Sequence, residues 1–459
     1  MDDRGKQDKF ISTEAVVIGE NASRLSKIAF CLICVVPVMA AVLFGGVDNA
    51  TWLLVSLMVG ALTLTWLGES WRSGGFIVNT SPLQLPLVGL AIIGIIQIVQ
   101  FGSVGLDGVR VVRSLSMDAF ATKMFLTRLV VYLVFFAACL VFINTEARIR
   151  TLVILVIIFG ATLAFFGIIQ RLSDPDAIYG MRATPQAIPF GPFVNQHHFA
   201  AFMEMTGGVT LGMLFGQRTA RNRKALLAFA LVLMGIAIIL TGSRGGLLGL
   251  VSVASFALIS SYTGGKNEAR ELSRGPRVAL ALSAIALVLL TLGVVVYIGG
   301  GDSLLRGVGA GQLGGDFSSG RLHFWSIALK IFFAHPLIGA GLDAFGVAFT
   351  RYDTWNGMFR VDQAHNDYLQ ILSEAGAVGI ACLGAFVYLL IWKGRSVIRE
   401  STGFRREAAI GSLAGCFGIL IHSFFDFPLR TPSNAFFFLA LCTVATVHVT
   451  AEHHRRRRA

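Results

Sequence analysis

Apolar runs long enough to cross a membrane recur from one end of this chain to the other. Hydrophobic residues make up 55% of the sequence and charged residues only 14%. Because lipid offers no hydrogen-bond partners to the backbone, such runs form helices. The sequence therefore predicts an all-α fold, a polytopic transmembrane helical bundle with about 12 spans. The predicted spans are 28–47, 51–68, 83–101, 125–143, 151–170, 198–216, 225–241, 245–261, 278–299, 367–392, 408–424 and 432–449.

The spans divide the chain into regions. The first apolar run is typical of a signal sequence, but a long polar leader precedes it, so we interpret it as an uncleaved first helix. The predicted regions are a cytoplasmic N-terminal segment (1–27), helices 1–9 (28–299), a large external loop between spans 9 and 10 (300–366), helices 10–12 (367–449) and a basic cytoplasmic tail (450–459).

The net charge of +12 first suggests a nucleic-acid partner. The basic residues, however, are spread over many short loops, and anionic lipid and membrane orientation explain that distribution better. With the N-terminus inside, most of the 38 Lys and Arg residues fall on the cytoplasmic side, including the tail "HHRRRR". The sequence therefore predicts cytoplasmic N- and C-termini and no nucleic-acid binding.

Residues 225–261 could form one long helix or two short ones broken at "TGSRGG". One helix would extend roughly 55 Å, although the hydrocarbon core is only ~30 Å thick. It would also place neighbouring basic loops on opposite sides of the membrane, against the charge rule. We therefore predict a break that leaves Arg244 at the outer end of a helix pair.

Two short motifs, CxxC and GxGxxG, are interpreted as structural and not as binding sites. All six cysteines lie inside apolar runs, so the CxxC at Cys31 and Cys34 is predicted to be a buried helix face and not a metal site or disulfide. The stretch "GAGQLG" fits GxGxxG, but no strand precedes it, and we interpret it as linker. We expect no metal and no cofactor.

The stretch "VDQAHNDYLQILSEAGAVGI" (361–380) places polar residues at the start of a predicted span. Asn366 or Asp367 could cap the helix by accepting its free amide protons. His365 could be structural, but an imidazole at this surface is also suited to taking a proton from a hydroxyl. Glu374 lies two turns into the span, where a carboxylate is normally paired or functional.

Two arginines supply complementary charge. Arg244 lies beside free helix amides, a natural anion site, and Arg321 begins the structured half of the external loop. Each could be a lipid-headgroup anchor. Together with an external histidine, however, they fit a site in which arginines hold a phosphorylated lipid carrier while the histidine activates an acceptor hydroxyl.

These residues resemble the O-antigen ligase/polymerase superfamily of bacterial membrane glycosyltransferases, which use undecaprenyl-diphosphate-linked glycans on the periplasmic side. His365, Asn366, Gly376 and Gly379 match the family pattern H[NSQ]x9Gxx[GTY]. The resemblance covers roughly residues 185–445. Further blocks occur in the family's order: "GPFVNQHHFAAFMEM", "LTGSRGG", "SGRLHFWSIALKIFFAHPLIGAGLDAF" and "HSFFDFPLRTPSNAFFFLAL".

The resemblance implies an inverting, metal-independent transfer at the periplasmic face of the inner membrane, with His365 as general base. It implies that Arg244 and Arg321 bind the donor diphosphate. Arg306, Arg351 and Arg360 in the same loop compete with Arg321, and Arg360 is taken as a third diphosphate ligand. Supporting roles fall on Asn366, Glu374, His198 with its neighbour His197, and Asp426.

The implied acceptor is the hydroxyl of lipid A core, as in a ligase that assembles cell-surface polysaccharide. A polymerase that joins lipid-linked repeats and a protein O-oligosaccharyltransferase share the histidine block, so both stay open. A transporter or lipid flippase is a remoter alternative. Transporters tend to have internal repeats and midplane sites, whereas the polar residues here gather on one side of the predicted bundle.

Overall fold

The computed structural model describes residues 10–12, 23–106, 109–173, 177–185, 187–216, 220–263, 320–354 and 361–449. These residues are mostly helical, which confirms the predicted helical class. The α-helices are α1 (Arg24–Val42), α2 (Asn49–Arg72), α3 (Leu85–Gln97), α4 (Ala119–Phe142), α5 (Glu146–Ser173), α6 (Gln196–Leu214), α7 (Arg221–Thr241), α8 (Arg244–Thr263), α9 (Arg321–Ala334), α10 (Phe345–Tyr352), α11 (Asp367–Glu400), α12 (Gly403–His422) and α13 (Pro432–Thr446). Short 3₁₀ helices occupy Phe44–Gly46, Pro82–Gln84 and Pro428–Arg430.

Four short strands depart from a purely helical chain. Strand β1 (Phe10–Ser12) pairs in parallel with β2 (Phe76–Val78). Strands β3 (Gln100–Leu106) and β4 (Val109–Ser114) form an antiparallel pair. Strand β3 begins at Gln100, inside the predicted span 83–101. Helix α3 therefore ends at Gln97, earlier than the hydropathy of this run predicted.

Several described helices are suited to a membrane. Seven are long and apolar enough to cross one: α1, α2, α4, α5, α7, α8 and α11. The helical stretch Pro82–Gln97 and helix α13 are shorter apolar helices. The chain is therefore a membrane protein. The predicted span 278–299 and most of the predicted loop 300–366 lie outside the described residues, and the total of about 12 spans stays a prediction.

Helices α6 and α12 form the centre of the bundle and are buried along almost their whole length. Glycines let their backbones approach closely, as is typical of helices packed in membranes. A side chain at Gly411 would come within 2.8 Å of the Gly208 carbonyl oxygen. The close pair fixes the N-terminus of α6 beside the C-terminus of α12.

The apolar stretch 225–261 forms two helices, as predicted from its length. Helix α7 ends at Thr241, and Gly242 adopts a left-handed conformation with φ of 63°, which glycine tolerates better than other residues. The Ser243 hydroxyl accepts the Gly246 amide proton at 3.1 Å and so caps the next helix. Arg244 is consequently the first residue of α8.

Helix α11 is interrupted at Gly376, whose φ is 66° and ψ −160°. The connection after α9 fills the interruption. The Ala340 amide donates to the Ser373 carbonyl at 2.9 Å, and the Ala377 amide donates to the Pro336 carbonyl at 2.8 Å. A Cβ atom at Gly376 would come within 2.5 Å of the Leu337 carbonyl. The first glycine of the sequence motif is therefore required by both conformation and space.

Polar connections gather at one end of the bundle. Gln97, at the C-terminus of α3, donates to the Glu374 carbonyl at 2.8 Å and accepts from the Leu342 amide at 2.9 Å. Thr122, near the N-terminus of α4, donates to the Leu342 carbonyl at 2.8 Å. We call this end, where α3 and α12 end and α4, α6, α8, α11 and α13 begin, the polar end. At the opposite end, Arg148 of α5 bonds the Ser26 hydroxyl of α1 at 2.7 Å.

Candidate functional site

His365 lies at the polar end, immediately before the N-cap of α11. The cap is Asn366, whose side-chain oxygen accepts from the amides of Tyr368 and Leu369, both at 3.0 Å. The His365 backbone is left-handed, with φ of 51°. This conformation costs a non-glycine residue about 1–3 kcal/mol and persists only where the surroundings impose it. The fold therefore holds His365 in a strained, defined position.

A buried carboxylate orients the His365 imidazole. Its Nδ1 lies 3.1 Å from Oδ1 of Asp426, in the connection between α12 and α13. The aspartate side chain is 2% exposed, whereas the histidine side chain is 33% exposed. An ionised carboxylate can only accept a hydrogen bond, so Nδ1 donates and Nε2 remains available as a proton acceptor.

Asp426 is held in its charged form. Burial by itself would raise the pKa of this carboxyl group, but the hydrogen bond from His365 and the nearby His197 hold the pKa well below its ordinary value. The Phe427 amide also donates to Oδ1 of Asp426 at 2.9 Å. Asp426 is thus a fixed acceptor for the histidine.

Two aromatic rings enclose the imidazole. Phe324 of α9 is stacked with His365 at a centroid distance of 6.0 Å and an interplanar angle of 29°. Phe427 meets the ring edge-on at 4.9 Å and 70°. These contacts and the Asp426 hydrogen bond restrict rotation of the imidazole, which remains partly exposed.

The adjacent histidines at the start of α6 have different surroundings. His198 is buried, and its Nδ1 lies 2.6 Å from the Thr431 hydroxyl. Its Nε2 has no hydrogen-bond partner among the described residues. His197 lies within electrostatic range of Asp426, Arg321, His365 and Arg244. Sequence reasoning favoured His198 as the supporting residue, whereas in the structure it is His197 that interacts electrostatically with Arg321 and Arg244.

Arg244 and Arg321 are the first residues of α8 and α9. They lie within electrostatic range of each other and of His197. Guanidinium groups and helix N-termini both favour a bound anion, and Arg244 and Arg321 each combine the two. Of the competing loop arginines, Arg351 is an exposed residue of α10, near His335. Arg306 and Arg360 lie outside the described residues.

Sequence reasoning gave no role to Arg430, which occupies the centre of a partly buried ion-pair network. Its Nη1 lies 2.6 Å from Asp343, and its Nη2 pairs with Glu374. Burial would lower the pKa of the guanidinium, but Glu374 and Asp343 raise it. The signal for this pair was Glu374 itself, because a carboxylate within a span demands a partner. The sequence did not identify which arginine supplies it.

The cluster has a definite chemical capacity. An imidazole oriented by a carboxylate can remove a proton from a hydroxyl, and paired guanidiniums can stabilise a diphosphate. In the described part of the chain, no group of three or more His, Cys, Asp or Glu residues is arranged to hold a metal ion.

Comparison with known proteins gives an independent result. The model of the O-antigen ligase family matches residues 229–384. A search of curated proteins found no match. The matched region contains Arg244, Arg321 and His365 but ends before Asp426 and Arg430. The match confirms, over residues 229–384, the resemblance to the O-antigen ligase family found in the sequence.

Proposed function

We propose that this protein is an O-antigen ligase-like membrane glycosyltransferase. It moves a glycan from undecaprenyl diphosphate to an acceptor hydroxyl of lipid A core, at the periplasmic face of the bacterial inner membrane. The observation that carries the proposal is the His365–Asp426 pair, 3.1 Å between Nδ1 and Oδ1, beside the electrostatically coupled Arg244 and Arg321.

In the proposed reaction His365 Nε2 takes the proton of the acceptor hydroxyl. The hydroxyl oxygen attacks the anomeric carbon as the bond from that carbon to the diphosphate oxygen breaks, with inversion of configuration. The bonding electrons leave with the diphosphate, whose developing charge Arg244 and Arg321 stabilise. A diphosphate needs no acid catalyst to leave, so orientation and charge neutralisation suffice. Because guanidinium groups take the role of a cation, the transfer needs no metal.

The remaining candidate residues act around this centre. Asn366 caps α11 and also donates to the Phe424 carbonyl at 3.0 Å, which fixes the residue next to the base. His198 holds the segment after Asp426 in place through its hydrogen bond with the Thr431 hydroxyl. Arg360, which precedes His365 by five positions in the sequence, is proposed as a third diphosphate ligand on the family resemblance. Lipid-linked glycan, acceptor and membrane are the partners of the site.

The proposal is tested by transfer with purified protein and a defined undecaprenyl-diphosphate glycan in the presence of a chelator. We expect the glycan to move to lipid A core and free undecaprenyl diphosphate to appear. Elongation of a second lipid-linked repeat would identify a polymerase instead, and transfer to a hydroxyl-containing peptide a protein O-oligosaccharyltransferase. Failure with every acceptor, or a strict requirement for a divalent metal, would contradict the proposed chemistry.

The proposed sidedness is tested by cysteine labelling in intact cells. Thr354 follows α10 at the polar end, and Ser73 follows α2 at the opposite end; both are exposed. In a cysteine-free background, Thr354→Cys should react with an impermeant thiol reagent, whereas Ser73→Cys should react only after the inner membrane is opened. The reverse pattern would place the polar end in the cytoplasm, where the proposed donor is not available.

A further inference from the structure

Arg430 joins three segments that are distant in the sequence. It ends the 3₁₀ helix Pro428–Arg430, four residues after Asp426. Its planar fork reaches Asp343, after the connection that fills the α11 interruption, and Glu374 within α11. The face of Phe125 lies 5.7 Å from the guanidinium carbon. An arginine fork can hold two carboxylates in fixed directions, which a lysine ammonium cannot.

A chain of buried contacts continues from Glu374 toward His365. The second Glu374 oxygen, Oε1, accepts from Gln370 Nε2 at 2.6 Å. The Gln370 carbonyl oxygen Oε1 accepts from the Ala364 amide at 2.5 Å. Ala364 is the residue immediately before His365. Both Gln370 and Glu374 are fully buried, so their orientations are fixed by these partners.

A second set of contacts ties the start of α11 to the end of α12. The Asp367 amide donates to the Ser423 carbonyl at 2.9 Å, and the Ser423 hydroxyl donates to Asp367 Oδ2 at 2.9 Å. His365 and Asp426 thus sit on two segments that are fastened on one side by Asp367 and on the other by Arg430. Neither fastening touches the exposed edge of the imidazole.

We infer that Arg430 is a positioning residue, which aligns Asp426 with His365 by clamping the connection after α12 to Glu374 of α11 and to Asp343. The inference rests on the proposed role of His365 as general base. Arg430 acts through the histidine and not on the donor. Its loss should therefore slow the chemical step without weakening donor binding.

The principal test is Arg430→Lys, which keeps the positive charge but loses the planar fork. We expect kcat for glycan transfer to fall about 10- to 100-fold, because a small misplacement of a catalytic group has an effect of this size. The KM for the lipid-linked donor should stay unchanged. Glu374→Gln keeps the shape of the side chain and its contact with Gln370. It should likewise lower kcat while the donor KM stays unchanged. This variant tests the inference even if Arg430→Lys does not fold.

A matched control lies at the opposite end of the bundle. Glu69 is also a buried carboxylate, with a side-chain exposure of 5%, and it pairs with Arg72 at 2.7 Å. Glu69→Gln removes the charge of a buried carboxylate that is paired with an arginine far from His365, although Arg72 is more exposed than Arg430. Its kcat should equal that of the native protein, which separates an alignment effect from a general loss of stability. Thermal unfolding in detergent should be measured for every variant.

A double-mutant cycle with His365→Ala decides how Arg430 acts. In the His365→Ala background, Arg430→Lys should have no further effect on the residual rate, because no imidazole remains to be aligned. An equal loss in both backgrounds, a rise in donor KM, or a native kcat in both Arg430→Lys and Glu374→Gln would each overturn the inference. Native activity of His365→Ala alone would instead refute the proposed function, so the two failures are distinguishable.

Discussion

Replacement of His365 by alanine should lower glycan transfer about 100- to 10,000-fold, the effect typical of losing a positioned general base. The protein should remain folded, because the cap of α11 is supplied by Asn366 and not by the histidine. Donor binding should also survive, since Arg244 and Arg321 are unchanged. Single-turnover transfer from a defined lipid-linked donor, with binding measured separately, checks both expectations.

Asn366→Ser is the matched control for His365→Ala. Serine keeps an oxygen that can accept the amide protons of Tyr368 and Leu369, so the helix cap is retained. The rate should therefore fall much less than in His365→Ala. Equal losses in the two variants would indicate that the local structure of the α11 start matters, and not the imidazole. Transfer at the native rate by His365→Ala would eliminate the general-base mechanism.

Arg244→Ala should lower kcat/KM for the lipid-linked donor about 10- to 100-fold, because a hydrogen bond to a charged group contributes ~1.5–3 kcal/mol. Arg244→Lys should lower it less, since the ammonium keeps the charge but cannot reproduce two parallel hydrogen bonds. The loss should be largest at limiting donor. Initial rates across donor concentrations, with membrane insertion verified for each variant, measure the effect.

Arg221→Ala provides the control for Arg244→Ala. Arg221 begins α7 at the end of that helix opposite to Arg244 and is exposed. We expect native transfer kinetics from this variant. If Arg244→Ala also transfers glycan normally at limiting donor, Arg244 is an interfacial anchor and not a diphosphate ligand.

Most helix positions followed from the sequence because hydropathy is a local property. Apart from 278–299, each predicted span overlaps a described helix, and the break before Arg244 occurs at Gly242. The predicted span 83–101 was wrong at its end, because α3 ends at Gln97 and strand β3 begins at Gln100. Hydropathy cannot separate an apolar helix end from an apolar strand start, since both are composed of the same residues.

The pattern H[NSQ]x9Gxx[GTY] also contained structural information that the sequence could not explain alone. It identified Gly376 as a required position, but only the structure relates that requirement to the positive φ and to the backbone of Leu337. Likewise, Asn366 and Asp367 were equivalent candidates for the cap. The structure assigns the cap to Asn366 and pairs Asp367 with Ser423.

The sequence by itself determined the membrane class, most helix positions, the histidine motif and the resemblance to the O-antigen ligase family, because apolar length, charge and short motifs are properties of neighbouring residues. Only the tertiary structure decided that Asp426 is the partner of His365 and that Arg430 is the partner of Glu374. Each pair joins α11, or the residue before its N-cap, to the connection before α13. Partner choice depends on how helices pack and on where their ends meet, and no local pattern encodes which of several cations or carboxylates arrives there.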